Sequence, residues 1–310
     1  MDARRGDPEA NAYIKALLGT SVATGAAVVP NAFVSDISRQ VGTLSPWRNI
    51  FSVETVSAGS AVDVPYEVTG LTAALVQGAY GSNKDNRDFT LARATATLYT
   101  IAQITDVGNQ LLRQSNGAAE RVVRRRLAAS FAMTESAYIT NGTGSGQPLG
   151  ILPAMPAFGD PAGFKTTLTS EPRAATIGRA LGALEGRGRQ ATAVVLNPTD
   201  FWELATEGLG TSYAGGWALA PADGPSSGSP QATLWGVRTY RCADLPVGTG
   251  LAIDATDGTI WVGDELRIDV STEAGNRFDQ NVTGYRAEEE LGFTAEPMVR
   301  TGAVQKILGL

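Results

Sequence analysis

The sequence predicts an α+β fold, and three observations carry that prediction. Strand-like alternation fills the stretch from about residue 52 to residue 104 and returns near the C-terminus. A single long helical pattern, Asn116 to Thr140, follows the first of these stretches. From about Lys165 onward, short helical and strand-like patterns interleave. The chain has 310 residues, enough for about two domains at the usual ~150 residues each. Its hydrophobic content of 43% and charged content of 18% suit a folded chain with a sizeable core.

Residues 1–31 read as an arm: a short helical pattern runs into "GTSVATGAAVVP", which is rich in Gly and small residues. "NAFVSDISRQVG" reads as a helix with Phe33, Ile37 and Val41 four apart along one face. "FSVETV" and "AVDVPYEV" read as strands joined by a hairpin turn at Ser57 to Ser60. Pro65 has no N–H for a ladder, which makes the second of these an edge strand. The polar, turn-rich segment Gly78 to Phe89 separates it from the alternating "TLARATATLYTIAQIT". Two extended arms around a polar tip make a long β-hairpin, and such a hairpin needs another surface to lie on.

The long helix places Val123, Leu127, Phe131 and Tyr138 on one stripe, with Asn116 as the N-cap. It ends at "TNGTGSGQPLG", where glycine supplies a positive φ. Next come a helix on Ile177, Leu181 and Leu184, the buried-strand pattern "ATAVVLNP" and the short helix "TDFWELA". The Gly/Ser/Pro stretch 208–231 is too long for an ordinary connector. Strands are expected at "TLWGVRTY", "GLAID", "TIWVG" and "LRIDVST", and strand-like alternation continues through "GYRAEEELGFTAE" and "MVRTGAVQKI".

Composition removes much of the enzyme repertoire. The chain has no histidine, so no Ser-His-Asp triad, Cys-His pair or His-ligated metal site can be built. Cys242 is the single cysteine, which rules out an intrachain disulfide and a CxxC site. It reads as a small buried hydrophobe. No cofactor and no metal are expected. The net charge of −6 argues against a chain whose main task is gripping phosphates. The N-terminus lacks an apolar signal region, and no window reaches 18 consecutive apolar residues, so neither secretion nor a membrane span is expected.

Four features deserve a chemical reading. "NGTGSGQ" follows a helix, whereas a dinucleotide fingerprint follows a strand, so it reads as a helix-terminating turn. "RVVRRR" reads as a solvated helix face. Lys84 alone would be a solubilising charge at the hairpin tip. Asn281 and the run Glu288 to Glu290 give no acid–base or metal pair by spacing. On one continuous strand Asn281 and Glu288 point to opposite faces, and by composition they are surface residues.

The ordered set of segments resembles the major capsid proteins of tailed bacteriophages with the Hong Kong 97 fold. "ATGAAVVPNAF" is similar to the segment after that family's N-terminal arm, and 52–104 to its extended E-loop. Helix 117–139 is similar to its spine helix, and "NGTGSGQPLGIL" to the marked turn that follows. "VVLNPTDFW" and "LWGVRTYRC" look like central strands of the axial domain, and "RIDVSTEAGNRFDQNVTGYRAEEELGF" like the closing peripheral-domain region. The resemblance implies an N-terminal arm at 1–31 and an E-loop hairpin at 52–104. It implies a peripheral domain from 32–51, 105–166 and 267–310, and an axial domain at 167–266.

The resemblance also implies a function. Copies would form pentamers and hexamers, and these a closed icosahedral head around double-stranded DNA, held non-specifically. Closed symmetry is the requirement for a finite shell. Assembly in the host cytoplasm, a separate scaffolding protein, and portal and decoration proteins fit the same picture. About 20 residues precede the matched core, so a scaffolding region is either a separate protein or has been removed. In the family's founding type, a Lys of one subunit attacks an Asn of a second, a Glu of a third acts as base, and ammonia leaves. Those roles fall on Lys84, Asn281 and Glu288. Here Lys84 is followed by Asp85-Asn86 where the type has Pro-Glu, and Glu289 and Glu290 add charge beside the base. The alternatives are an encapsulin-like nanocompartment shell and, more remotely, a nucleotide-binding α/β enzyme.

Overall fold

The computed structural model describes residues 45–57, 59, 61–68, 90–115, 117–158, 164–165, 173–206, 220–221 and 232–310. The expected arm, the helix at Phe33 to Val41, the hairpin tip with Lys84, the N-cap at Asn116 and most of the 208–231 loop lie outside these residues. The chain divides into two compact units. One holds Ala102–Ser130 and Leu266–Glu288; the other holds the described residues of Gln40–Ile101, Phe131–Glu265 and Glu289–Leu310.

The larger unit is organised by a mixed seven-stranded sheet. Its order is Phe164–Lys165, Val304–Leu308, Thr249–Ile253, Ala193–Leu196, Val237–Arg241, Ala232–Leu234 and Ala220–Pro221. The central strand Ala193–Leu196 is buried along its whole length, because both of its faces are covered. Alternation then assigns its residues to two cores. Val194 and Leu196 pack with Ile177, Leu181 and Leu184 of helix Arg173–Glu185 and with Phe201 and Leu204 of helix Pro198–Thr206. Val195 faces the other core, with Trp47, Phe51, Ile139, Ile151, Leu291, Phe293 and Met298. Cys242 belongs to this second core and is fully buried, as expected.

"TLWGVRTY" is not one strand but lies across a hairpin of Ala232–Leu234 with Val237–Arg241, and two further expectations about strands change. Ser52–Thr55 does not turn back on Ala61–Glu67; it pairs in parallel with Thr259–Val262. Ala61–Glu67 instead pairs with Leu91 to Thr97, from Glu67 opposite Leu91 to Ala61 opposite Thr97. The two arms therefore pair antiparallel as expected, but the first begins at Ala61, and among the described residues Pro65 lies on an edge strand. The second change is in "MVRTGAVQKI". Glu296–Arg300 is a short helix, and only Val304–Leu308 is a strand. Pro297 stands at the helix start, where its missing N–H costs nothing and its fixed φ suits the first turn.

Helix Ala118–Asn141 ends in a turn built from glycines with two different roles. Gly144 and Gly146 take φ of 79° and 68°, the left-handed region open to glycine. Gly142, the first residue past the helix, does not. It is needed because a Cβ there would lie 2.2 Å from the Pro148 carbonyl oxygen and 2.5 Å from that of Tyr138. The close approach lets the Gly150 N–H donate to the Gly142 carbonyl at 2.8 Å, and the Ala295 N–H donates to the Leu149 carbonyl at 3.1 Å.

The buried stripe of this helix also differs from expectation. Leu127 and Phe131 are buried, but the next positions inward are Glu135 and Ile139, while Tyr138 is only half-buried. Glu135 is 2% exposed and Glu289 4% exposed. Arg48, on the short helix Trp47–Ile50, joins them. Its Nε donates to Glu135 Oε2 at 2.8 Å, and its Nη2 contacts both carboxylates. Ser45 donates to the other oxygen of Glu135 at 3.3 Å. Burial, followed by Glu135 as a neighbouring like charge, pushes the Glu289 carboxyl up despite Arg48. The sequence reading had allowed Glu289 to be solvated surface. Strand alternation overturns that, since Tyr285, Ala287, Glu289 and Leu291 share the inward face.

Arg48→Met strands two buried carboxylates without their cation and is expected to cost about 3 kcal/mol in thermal unfolding of isolated subunits. Restoring stability by adding Glu135→Gln and Glu289→Gln would confirm that the loss is electrostatic. Because the folded-state value of Glu289 is raised above the ordinary 4.5, its folded form holds a proton more tightly than its unfolded form. Its stabilising contribution is full below that ordinary value and is lost as pH rises through the raised one. Glu289→Gln should therefore gain stability relative to wild type as pH rises from about 4.5; a relative loss over that range would refute this. In the turn, Gly142→Ala is expected to cost about 3 kcal/mol because backbone oxygens cannot yield. Gly146→Ala, with open space around it, should cost only about 1 kcal/mol.

Candidate functional site

The smaller unit carries Glu288 on a strand and Asn281 at the end of the short helix that precedes it. Arg267–Ser271 runs antiparallel to the first part of Val282–Gly292, with Arg267 opposite Glu288, Asp269 opposite Arg286 and Ser271 opposite Gly284. Alternation turns Arg286 and Glu288 to the outer face, where opposite charges meet across the strands. Arg286 Nη2 donates to Asp269 at 2.9 Å, and this hydrogen bond is the main reason the Asp269 carboxyl is held below its usual range. Glu288 is half-buried, with Arg286 Nε at 3.4 Å and Arg267 Nη2 at 3.6 Å from its two oxygens.

The connection between these strands is shaped by local hydrogen bonds. The Ser271 hydroxyl accepts from the Glu273 and Ala274 N–H groups, each at 3.3 Å. The short helix Arg277–Gln280 follows, with its Phe278 ring 80% exposed. Arg277 lies across Gly284, where a Cβ would come within 2.3 Å of its Nε. That nitrogen donates to Asp106 at 2.8 Å.

Asn281 terminates the helix with φ 52° and ψ 47°. Asparagine tolerates this left-handed conformation better than most side-chain-bearing residues. It is therefore a helix C-cap just before the strand, not a strand residue whose face alternation decides. Its backbone carbonyl accepts from the Asn109 N–H at 3.0 Å. Its side-chain Oδ1 accepts from Asn109 Nδ2 at 2.8 Å. The Thr283 hydroxyl in turn donates to Asn109 Oδ1 at 2.5 Å. Among the described residues nothing engages the Asn281 Nδ2, and the side chain is exposed. An exposed primary amide with an engaged oxygen and a free nitrogen can accept a nucleophile at carbon.

The structure does not bring Asn281 and Glu288 together within one chain. Seven residues from Val282 to Glu288, at about 3.3 Å each, put Glu288 roughly 20 Å from Asn281. Lys84 lies outside the described residues. Asn109 is a site residue that the sequence reading did not identify. It lies 172 positions from Asn281, and no local pattern marks it. The basic cluster behaves as expected: Arg121, Arg124, Arg125 and Arg126 are exposed, and Arg124 Nε donates to Glu120 at 3.0 Å. Among the described residues no cluster of potential metal ligands is present, and no helix is long and apolar enough to cross a membrane.

Comparison with known proteins gives one consistent answer. The phage capsid family model matches residues 25–296. No curated protein matches the chain. Among solved structures, the capsid of an empty GTA particle is 19% identical with a TM-score of 0.64, covering 91% of this chain and 94% of that one. The chain of Mycobacterium phage Bobi is 16% identical with a TM-score of 0.62, covering 91% and 94%. That of Microbacterium phage Oxtober96 is 17% identical with a TM-score of 0.61, covering 85% and 90%. At these identities the likeness establishes the fold, the α+β capsid fold of Hong Kong 97 type that the sequence predicted. The chain belongs to the phage capsid family and is a structural protein of the virion capsid.

Proposed function

We propose that copies of this chain form pentamers and hexamers that close into an icosahedral head around double-stranded DNA. Neighbouring subunits are then joined by isopeptide bonds between Lys84 and Asn281. The observation that carries the covalent part is the Asn281 carboxamide, exposed and, among the described residues, unengaged at nitrogen. The pair Ala61–Glu67 with Leu91 to Thr97, buried at Tyr66, Ala94 and Ala96 on one face and exposed on the other, supports the assembly part. Its outer face is polar, with Asp63 bound to Arg93 at 3.1 Å and to Thr95 at 2.7 Å, and Leu91 stands 61% exposed. Among the described residues Ala61–Glu67 is the edge strand of a six-stranded sheet, and such an edge offers a surface for a neighbouring subunit.

In this reading the hairpin of one subunit delivers Lys84 to Asn281 of a second, and Glu288 of a third subunit takes the ammonium proton. The 20 Å gap within one chain is then no obstacle. The free amine attacks the Asn281 carbonyl carbon, and ammonia leaves. Because a primary amide is a poor electrophile, positioning by the assembled shell supplies much of the acceleration. The family's domain plan assigns 52–104 to the E-loop, 32–51, 105–166 and 267–310 to the peripheral domain, and 167–266 to the axial domain. Scaffolding, portal and decoration proteins are the expected partners, with assembly in the host cytoplasm.

Electron microscopy of purified particles should show closed icosahedral shells with five- and six-fold capsomers. Nuclease-protected DNA inside would separate a phage head from an encapsulin-like compartment filled with protein. Denaturing electrophoresis should show a ladder above the 32.3 kDa monomer, lost in Lys84→Arg and in Asn281→Asp and slowed in Glu288→Gln. A single monomer band from wild-type particles would sink the cross-linking reading.

A further inference from the structure

We infer that Asn109 is a catalytic residue of the cross-linking reaction, its Nδ2–H group holding the oxygen of Asn281 as negative charge develops there. This inference rests on the Lys84–Asn281 reading above. Three contacts fix Asn109 before any neighbour arrives. Its backbone N–H donates to the Asn281 carbonyl at 3.0 Å, tying the two backbones together. The Thr283 hydroxyl donates to its Oδ1 at 2.5 Å, so the NH₂ end of its amide points the other way. That end donates to Asn281 Oδ1 at 2.8 Å, within the range at which a donor stabilises an oxyanion.

The consequence for the reaction is specific. Attack of the neutral Lys84 Nζ on Asn281 Cγ breaks the C=O π bond and places the electron pair on Oδ1. The Asn109 N–H is already aimed at that oxygen, so no reorganisation is needed as the tetrahedral intermediate forms. Collapse re-forms C=O and breaks the bond from Cγ to Nδ2. The departing nitrogen takes a proton and leaves as ammonia, while the Lys84 nitrogen, having lost its protons to the base and leaving group, remains as the amide N–H. Among the described residues the Asn281 Nδ2 has no partner to surrender, so departure breaks no hydrogen bond with any of them.

The test is the rate of ladder formation in assembled particles. Asn109→Asp keeps the shape and the acceptor for Thr283 but replaces the donor with a carboxylate oxygen. Asn109→Leu removes both functions. Both should lower the rate about 10²- to 10³-fold while shells still form. Thr283→Val separates this role from a structural one. It removes the contact that orients Asn109 but leaves the donor, so its rate should fall, but by less than in Asn109→Leu; a loss as large as that of Asn109→Leu would point to a structural role. If Asn109→Asp subunits do not assemble alone, isotopically labelled variant subunits can be mixed with unlabelled wild type. Mass spectrometry should then find cross-linked Asn281 peptides from wild-type subunits and almost none from labelled ones. A wild-type ladder with Asn109→Asp cross-linking at the wild-type rate, or equal labelled and unlabelled acceptors, overturns the inference alone. A wild-type particle with no ladder removes the cross-linking reading and this inference with it.

Discussion

The contact of Arg48 with Glu135 and Glu289 is the constraint on which much of the larger unit depends. A buried carboxylate is costly without a partner, and two of them side by side are costlier. One guanidinium reaches both, and it does so from a four-residue helix whose neighbour Trp47 is fully buried. The long helix, the strand Val282–Gly292 and the segment at Trp47–Ile50 therefore meet at one point in one geometry. Apolar packing alone tolerates slippage, whereas a planar fork between two carboxylates does not. The strand carries that fixed register out to Glu290, whose oxygen accepts from the Gly59 N–H at 2.8 Å.

The same alternation that buries Glu289 frees Glu288. Three adjacent glutamates thus have three different environments. Glu289 is held inside by Arg48, Glu290 binds the backbone near the start of the hairpin, and Glu288 lies on the outer charged ladder. Asn281 owes its exposure to a separate device, a left-handed helix cap that turns its carboxamide outward while Asn109 holds its oxygen.

The buried glutamates were legible in principle. Leu127, Phe131, Glu135 and Ile139 recur every four residues, and Tyr285, Ala287, Glu289 and Leu291 every two. Reading Tyr138 as the next stripe residue and the glutamate run as solvent-facing let side-chain type override periodicity. The hairpin pairing was less accessible. Ser52–Thr55 has the look of a hairpin strand, but its partner lies more than two hundred residues away at Thr259–Val262.

By itself, the sequence determined the α+β class, the capsid family and the chemical menu. These follow from local periodicity, from the order of segments and from the absence of histidine. It also determined Cys242 as core and Pro65 as edge, because those residue types have few other places to go. Tertiary structure decided which acid is buried, which glycine is needed for close approach and which side chain holds Asn281. Each of those depends on contacts between residues far apart in the chain. Periodicity names the face a residue occupies, but only the folded chain supplies what stands opposite it.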